Sequence, residues 1–114
     1  MNELSREEFE KLKAMPFIKS QIVSDSMTPI INIGDNVLIE VGNLKLHRFD
    51  IIVIYVEGKL VCHYLWKMNS FVKPILIQTR NMRRQMDFPI TIEDYFGKVV
   101  SHKLTFLQKV RLMF

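Results

Sequence analysis

From Ile51 to Trp66 the chain reads IIVIYV-EG-KLVCHYLW, two apolar runs joined by one Glu-Gly pair. Runs this rich in β-branched and aromatic residues favour strands. Gly58 supplies the positive φ that a two-residue hairpin turn needs. A turn that tight fixes the register: His63 lies opposite Ile52, and Val61 and Leu65 share the face of His63. Both faces of the hairpin are apolar, so His63 is expected to be at least partly buried.

Four further runs have the same character: Phe17–Val23, Asn36–Val41, Val72–Gln78 and Gly97–His102. Gly, Asn, Asp and Pro interrupt them, which predicts a mainly β domain of six short strands. Ahead of them, Ser5 and Glu8 have capping-box spacing, Phe9, Leu12 and Met15 recur at helical spacing, and Pro16 ends the pattern. The reading is a short amphipathic helix over residues 5–14, within an N-terminal segment 1–15 that precedes a β domain at 16–114.

Composition excludes several classes. Apolar residues are 48% of the 114, enough for a core in a single domain. The longest unbroken apolar run, Ile51–Val56, is far short of the roughly 20 residues that span a bilayer. The start, MNELSREEFEKLK, is acidic and polar, unlike a secretory signal. Residence in the cytoplasm is therefore expected. Cys62 is the only cysteine, so no intrachain disulfide forms, and it reads as a small buried hydrophobe. Three scattered histidines and one cysteine lack metal-ligand spacing. A net charge of +4 is too small to name a partner.

The segment VSDSMTPIINIGDNVLIE, Val23 to Glu40, carries the chemistry. A strand is expected to end at Ser24-Asp25, leaving Ser26 on a turn that Pro29 stiffens and Gly34-Asp35 redirects. Ser26-Met27-Thr28-Pro29, then Gly34-Asp35, then Val37-Leu38-Ile39 resembles the nucleophile box of the serine peptidase superfamily that holds type I signal peptidases and self-cleaving SOS-type repressors. Phe49-Asp50-Ile51-Ile52-Val53 is similar to that family's Gly-Asp-Ile-Val strand, with Phe49 in the place of glycine. Gly58 to Tyr64 is similar to the strand that delivers the general base. Bacterial signal peptidases and the repressors carry lysine there; archaeal and endoplasmic-reticulum signal peptidases carry histidine, as His63 does here. The similarity runs from about Ile22 to Val100.

The resemblance implies a signal-peptidase-like coiled antiparallel β fold and a serine endopeptidase acting on a leader or signal peptide, with no cofactor; a nucleic-acid partner is not expected. Ser26 is the nucleophile and His63 its base, since a serine hydroxyl needs a neighbouring base to take its proton. Asp87, in a loop before Pro89-Ile90, is the third member that would orient the imidazole. The family's Gly-Asp-Asn is replaced by Thr79-Arg80-Asn81, so a solvated loop aspartate is the equal alternative. Ser24 with the Ser26 N–H would form the oxyanion hole; otherwise Ser24 is a turn residue. Met27 and Pro29 are assigned to substrate binding. His47-Arg48 reads as an exposed turn, and Lys59 and Lys67 lie too far along the strand, roughly 13 Å from His63, to replace it.

The rival reading is a catalytically inactive binding or regulatory module on the same fold. About 15 residues precede the β domain, too few for a repressor's helix-turn-helix. Self-cleavage has no Ala-Gly site, Ala14 being the only alanine. Arg80, Arg83 and Arg84 read as a solvated loop. Phe106, Leu107, Val110, Met113 and Phe114 recur at helical spacing with Lys109 and Arg111 between. Such a stripe most often packs on its own domain; the alternative is peripheral contact with a membrane.

Overall fold

The fold is described by a computed structural model covering residues 3–114. Strands β1 (Phe17–Gln21), β2 (Asn36–Val41), β3 (Ile51–Val56), β4 (Lys59–Asn69), β5 (Leu76–Arg80), β6 (Ile90–Thr91) and β7 (Tyr95–Val99) are accompanied by helices α1 (Arg6–Leu12) and α2 (Phe106–Met113). They form one antiparallel sheet in the order β1-β2-β7-β3-β4-β5-β6, curled into a half-barrel. No helix among the described residues is long and apolar enough to cross a membrane.

β3 holds the centre of the sheet, between β7 and β4. Ile51 and Val53 enter one apolar cluster and Ile52 and Ile54 the other, which is why this strand is apolar without alternation. The β3–β4 register has His63 opposite Ile52 and Tyr64 opposite Ile51. Both turn residues take left-handed backbone, Glu57 at φ 50 and Gly58 at φ 78, the pattern that lets a two-residue turn follow the strands' twist. β2 and β7 meet closely at Gly97, where a Cβ would stand 2.6 Å from the Glu40 carbonyl oxygen and 2.7 Å from Ile39 Cγ2.

The chain feeds into β3 through Phe49, which has φ 77. Left-handed backbone costs a non-glycine residue about 1–2 kcal/mol. The Phe49 ring offsets that cost by burial, with centroids 5.8 Å from Tyr64 and 5.9 Å from Trp66.

Several boundaries differ from expectation. β1 stops at Gln21, β4 continues to Asn69, and β5 begins at Leu76 and ends at Arg80. Pro74 has no N–H to give a ladder, so β5 starts only after it. Thr79 and Arg80 look like loop residues, yet their backbones pair with Leu65 and Tyr64. β7 begins at Tyr95, ahead of the expected Gly97, and β6 was not expected.

Helix α1 is capped as its spacing predicts, with both halves of the Ser5–Glu8 capping box formed. Phe9 stacks on Tyr55 at 4.3 Å and joins the main core, so the N-terminal segment packs on the sheet; its residues 1 and 2 lie outside the described residues. The helix ends at Leu12, and Met15 consequently points to solvent instead of continuing the buried stripe.

Gly97→Ala is expected to lower stability by about 1–3 kcal/mol, because backbone atoms of β2 must give way to the methyl group. A thermal melt reads this directly; an unchanged midpoint would contradict the close approach of β2 and β7.

Candidate active site

β4 carries His63 five residues beyond the hairpin turn at Gly58. On one edge its residues Lys59 to Tyr64 pair with β3; on the other, pairing with β5 begins only at Tyr64. Among the described residues no strand covers the outer edge from Lys59 to His63. The segment Ile22–Ser26, leaving β1, runs along that gap, and the two stretches wall a cleft of about 310 Å³ lined by Ser24, Ser26, Lys59, Cys62 and His63 among others.

His63 is only 8% exposed and needs a partner for its ring N–H. The loop after β5 delivers one. Asn81 shapes that loop, its Oδ1 accepting from the Arg83 and Gln85 N–H groups at 2.9 and 3.0 Å. The chain then returns along β5, with the Asp87 N–H donating to Thr79 O at 2.9 Å and Gln78 Nε2 to Asp87 O at 3.2 Å. Asp87 Oδ2 thereby accepts from His63 Nδ1 at 2.5 Å and from Thr79 Oγ1 at 2.5 Å. Burial pushes the Asp87 carboxyl up, but the hydrogen bonds from His63 and Thr79 and the attraction of His63 outweigh it, so its pKa is lowered. Asp87 is therefore a carboxylate at neutral pH and can only accept, which assigns the proton of a neutral His63 to Nδ1. Nε2 is left as the basic nitrogen.

Ser26 sits on the turn after β1, as its surroundings predict. Its carbonyl accepts from Met82 N–H at 2.9 Å, joining the turn to the Asp87 loop, and Asp25 pairs with Arg83 at 2.8 Å. Its hydroxyl lies 3.2 Å from that of Ser24 and makes no hydrogen bond to His63 among the described residues. The neighbouring Cys62 does not compete, because burial pushes its thiol up to about 12 and keeps it protonated.

Two expectations about substrate binding are corrected. Met27 is 1% exposed and packs in the main core, where its side chain cannot meet a substrate. Pro29 is exposed but lines a different pocket, with Thr28, Arg84 and Arg111. Arg80 is not solvated either: it is 7% exposed, with its guanidinium 4.1 Å from the Trp66 ring and Nη2 donating to Leu112 O at 3.3 Å. The aromatic face and the helix-end carbonyl replace part of the water around the cation, while its Nε is buried without a hydrogen-bond partner. His47 and Arg48 are exposed, as expected of a turn.

No protein-family model matches the chain, and no curated protein shows significant similarity to it.

The residue that sequence reasoning missed is Thr79. Its hydroxyl holds Asp87, and its place opposite Leu65 puts it on the face of His63. The β4–β5 register could have revealed this, but an irregularity between Leu65 and Lys67 breaks the simple count along the strand.

Thr79→Val removes one donor to Asp87, so the carboxyl pKa is expected to rise. The sign follows from linkage. A depressed carboxyl stabilises the fold above its unfolded value of about 3.9, and that stability is lost as pH falls through the folded value. The variant should lose about 1 kcal/mol at neutral pH and unfold at higher pH during acid titration. An NMR titration of the Asp87 carboxyl that does not move would contradict the assignment of this bond.

Proposed function

We propose that the chain is a serine endopeptidase of the signal-peptidase type, with Ser26, His63 and Asp87 as its triad. The observation that carries this reading is the 2.5 Å contact between His63 Nδ1 and Asp87 Oδ2 at the wall of the cleft that Ser26 also lines. A carboxylate on Nδ1 does two things for catalysis: it keeps Nε2 free to accept the serine proton, and it stabilises the imidazolium that results. The left-handed backbone of Phe49 adds support, because it stands where the resembling family has glycine.

In the proposed mechanism an extended peptide enters the cleft and pairs with the uncovered backbone edge of β4, the physics of strand addition. Ser26 Oγ turns from Ser24 and attacks the scissile carbonyl while His63 Nε2 takes its proton. The Ser26 N–H, which makes no hydrogen bond among the described residues, stabilises the oxyanion together with the Ser24 hydroxyl. His63 then protonates the leaving amine, and water repeats the sequence to release the acyl group. The substrate class is a leader or signal peptide. The inactive-module reading draws on one observation, the Ser26 hydroxyl facing Ser24 instead of His63.

Incubation with a peptide library, read by mass spectrometry, separates the two. Wild-type protein is expected to cleave, and Ser26→Ala and His63→Ala to lose activity. Identical products from Ser26→Ala would contradict the proposal. Asp87→Asn should lower kcat by about 10⁴, since an amide no longer selects the productive tautomer. The rate should rise with pH through about 6 to 7, where histidine side chains lose their proton. A rise confined to pH above about 9 would point to a lysine base instead.

A further inference from the structure

The apolar stripe of α2 does not pack on its own domain. Phe106, Leu107, Val110, Met113 and Phe114 are 40–89% exposed, and only Leu112 of the helix is buried. At roughly 100° per residue these five occupy a single arc of about 120°, bordered by Lys109 on one side and Arg111 on the other. What holds the helix is its carbonyl end: Arg80 donates to Leu112 O and Arg84 to Arg111 O. Cations at a helix C-terminus satisfy its free carbonyls and complement its dipole. This attachment leaves the apolar arc outward.

A pocket of about 330 Å³ opens beside it, lined by Arg83, Arg84, Arg111, Gln108 and Thr28 among others, with no carboxylate in its wall. Arg83 is paired with Asp25, but Arg84, Lys103, Lys109 and Arg111 have no acidic partner among the described residues. A second copy of the chain would bring these cations against one another. A nucleic acid would leave the apolar arc in water. An anionic bilayer satisfies both halves, since apolar side chains enter the headgroup–acyl boundary while flanking cations meet lipid phosphates.

We propose that α2 and the arginine-lined pocket form a docking face for an anionic membrane surface, with the apolar arc inserted and Arg84 and Arg111 on lipid phosphates. Lys109 and Arg111, at the two borders of the arc, extend their charges to the headgroup level while their stems stay apolar. The pocket shares Thr28 with the turn that carries Ser26, so docking brings the cleft close to the bilayer. This inference stands whether or not Ser26 is a nucleophile.

Flotation with vesicles tests it. Wild-type protein should partition onto vesicles of equal parts phosphatidylglycerol and phosphatidylcholine, and poorly onto phosphatidylcholine alone. Phe106→Ser with Leu107→Ser and Phe114→Ser should weaken binding by about tenfold or more, and Leu107→Asp alone should also lower it. Lys109→Glu with Arg111→Glu should weaken binding to the anionic vesicles by about fivefold or more for each cation lost. Phe71→Ser, a fully exposed position outside this face, should bind as the wild type does. Unchanged partition in the triple variant, or equal loss with Phe71→Ser, would overturn the proposal. So would a dimer that the same substitutions dissolve, or capture of a soluble acidic peptide by a protein that ignores vesicles.

Discussion

An imidazole can lie in the apolar interior of this sheet because Asp87 accepts its Nδ1–H. Without that acceptor a nearly buried polar ring would stand unsatisfied, at a cost of about 1–3 kcal/mol. The requirement propagates outward. Asp87 must be carried back along β5, Asn81 must turn the loop that carries it, and Thr79 must hold its carboxylate oxygen. Because the same loop donates Met82 N–H to the Ser26 carbonyl, the carboxylate, the imidazole and the serine turn belong to one hydrogen-bonded structure. The groups of the proposed triad are thus positioned by the interactions that satisfy the fold.

Much of this was legible in the residues, for local reasons. Glu57-Gly58 sets the register of β3 and β4, and with it the place of His63 opposite Ile52. Ser5 and Glu8 set the start of α1. What remained hidden depends on contacts between segments distant along the chain. Met27 stands beside the serine in sequence, yet the turn sends its side chain into the core while Ser26 stays at the cleft. Arg80 has a loop-like composition but pairs as a strand residue, buried against two aromatic rings and a helix carbonyl. Hydrophobic periodicity reads which face is apolar; it cannot read which backbone meets which, and that is what fixes Thr79 against Asp87. The stripe on α2 was visible as a pattern, but only the fold reveals that its apolar side faces outward.

The buried and exposed arginines of the molecule divide along the same physical line. Arg80 is committed to structure, desolvated between rings and capping α2. Arg84 also caps that helix, yet lines an open pocket with Arg111. Cations without an acidic partner lose less to internal pairing and keep their attraction for external anions. The cleft and the basic apolar face are therefore different kinds of surface on adjacent parts of one half-barrel: one recess beside an uncovered strand edge, one amphipathic helix fixed by its carbonyl end.

The state of the His63 ring is the most direct measure of whether this cleft is poised for proton transfer. Imidazole nitrogen NMR of the ¹⁵N-labelled protein, recorded on the alkaline side of the histidine range, distinguishes the two neutral tautomers. A proton on Nδ1 with Nε2 unprotonated, lost or scrambled on Asp87→Asn, is the expected result. A proton on Nε2 would leave no base for Ser26 and would contradict the catalytic assignment.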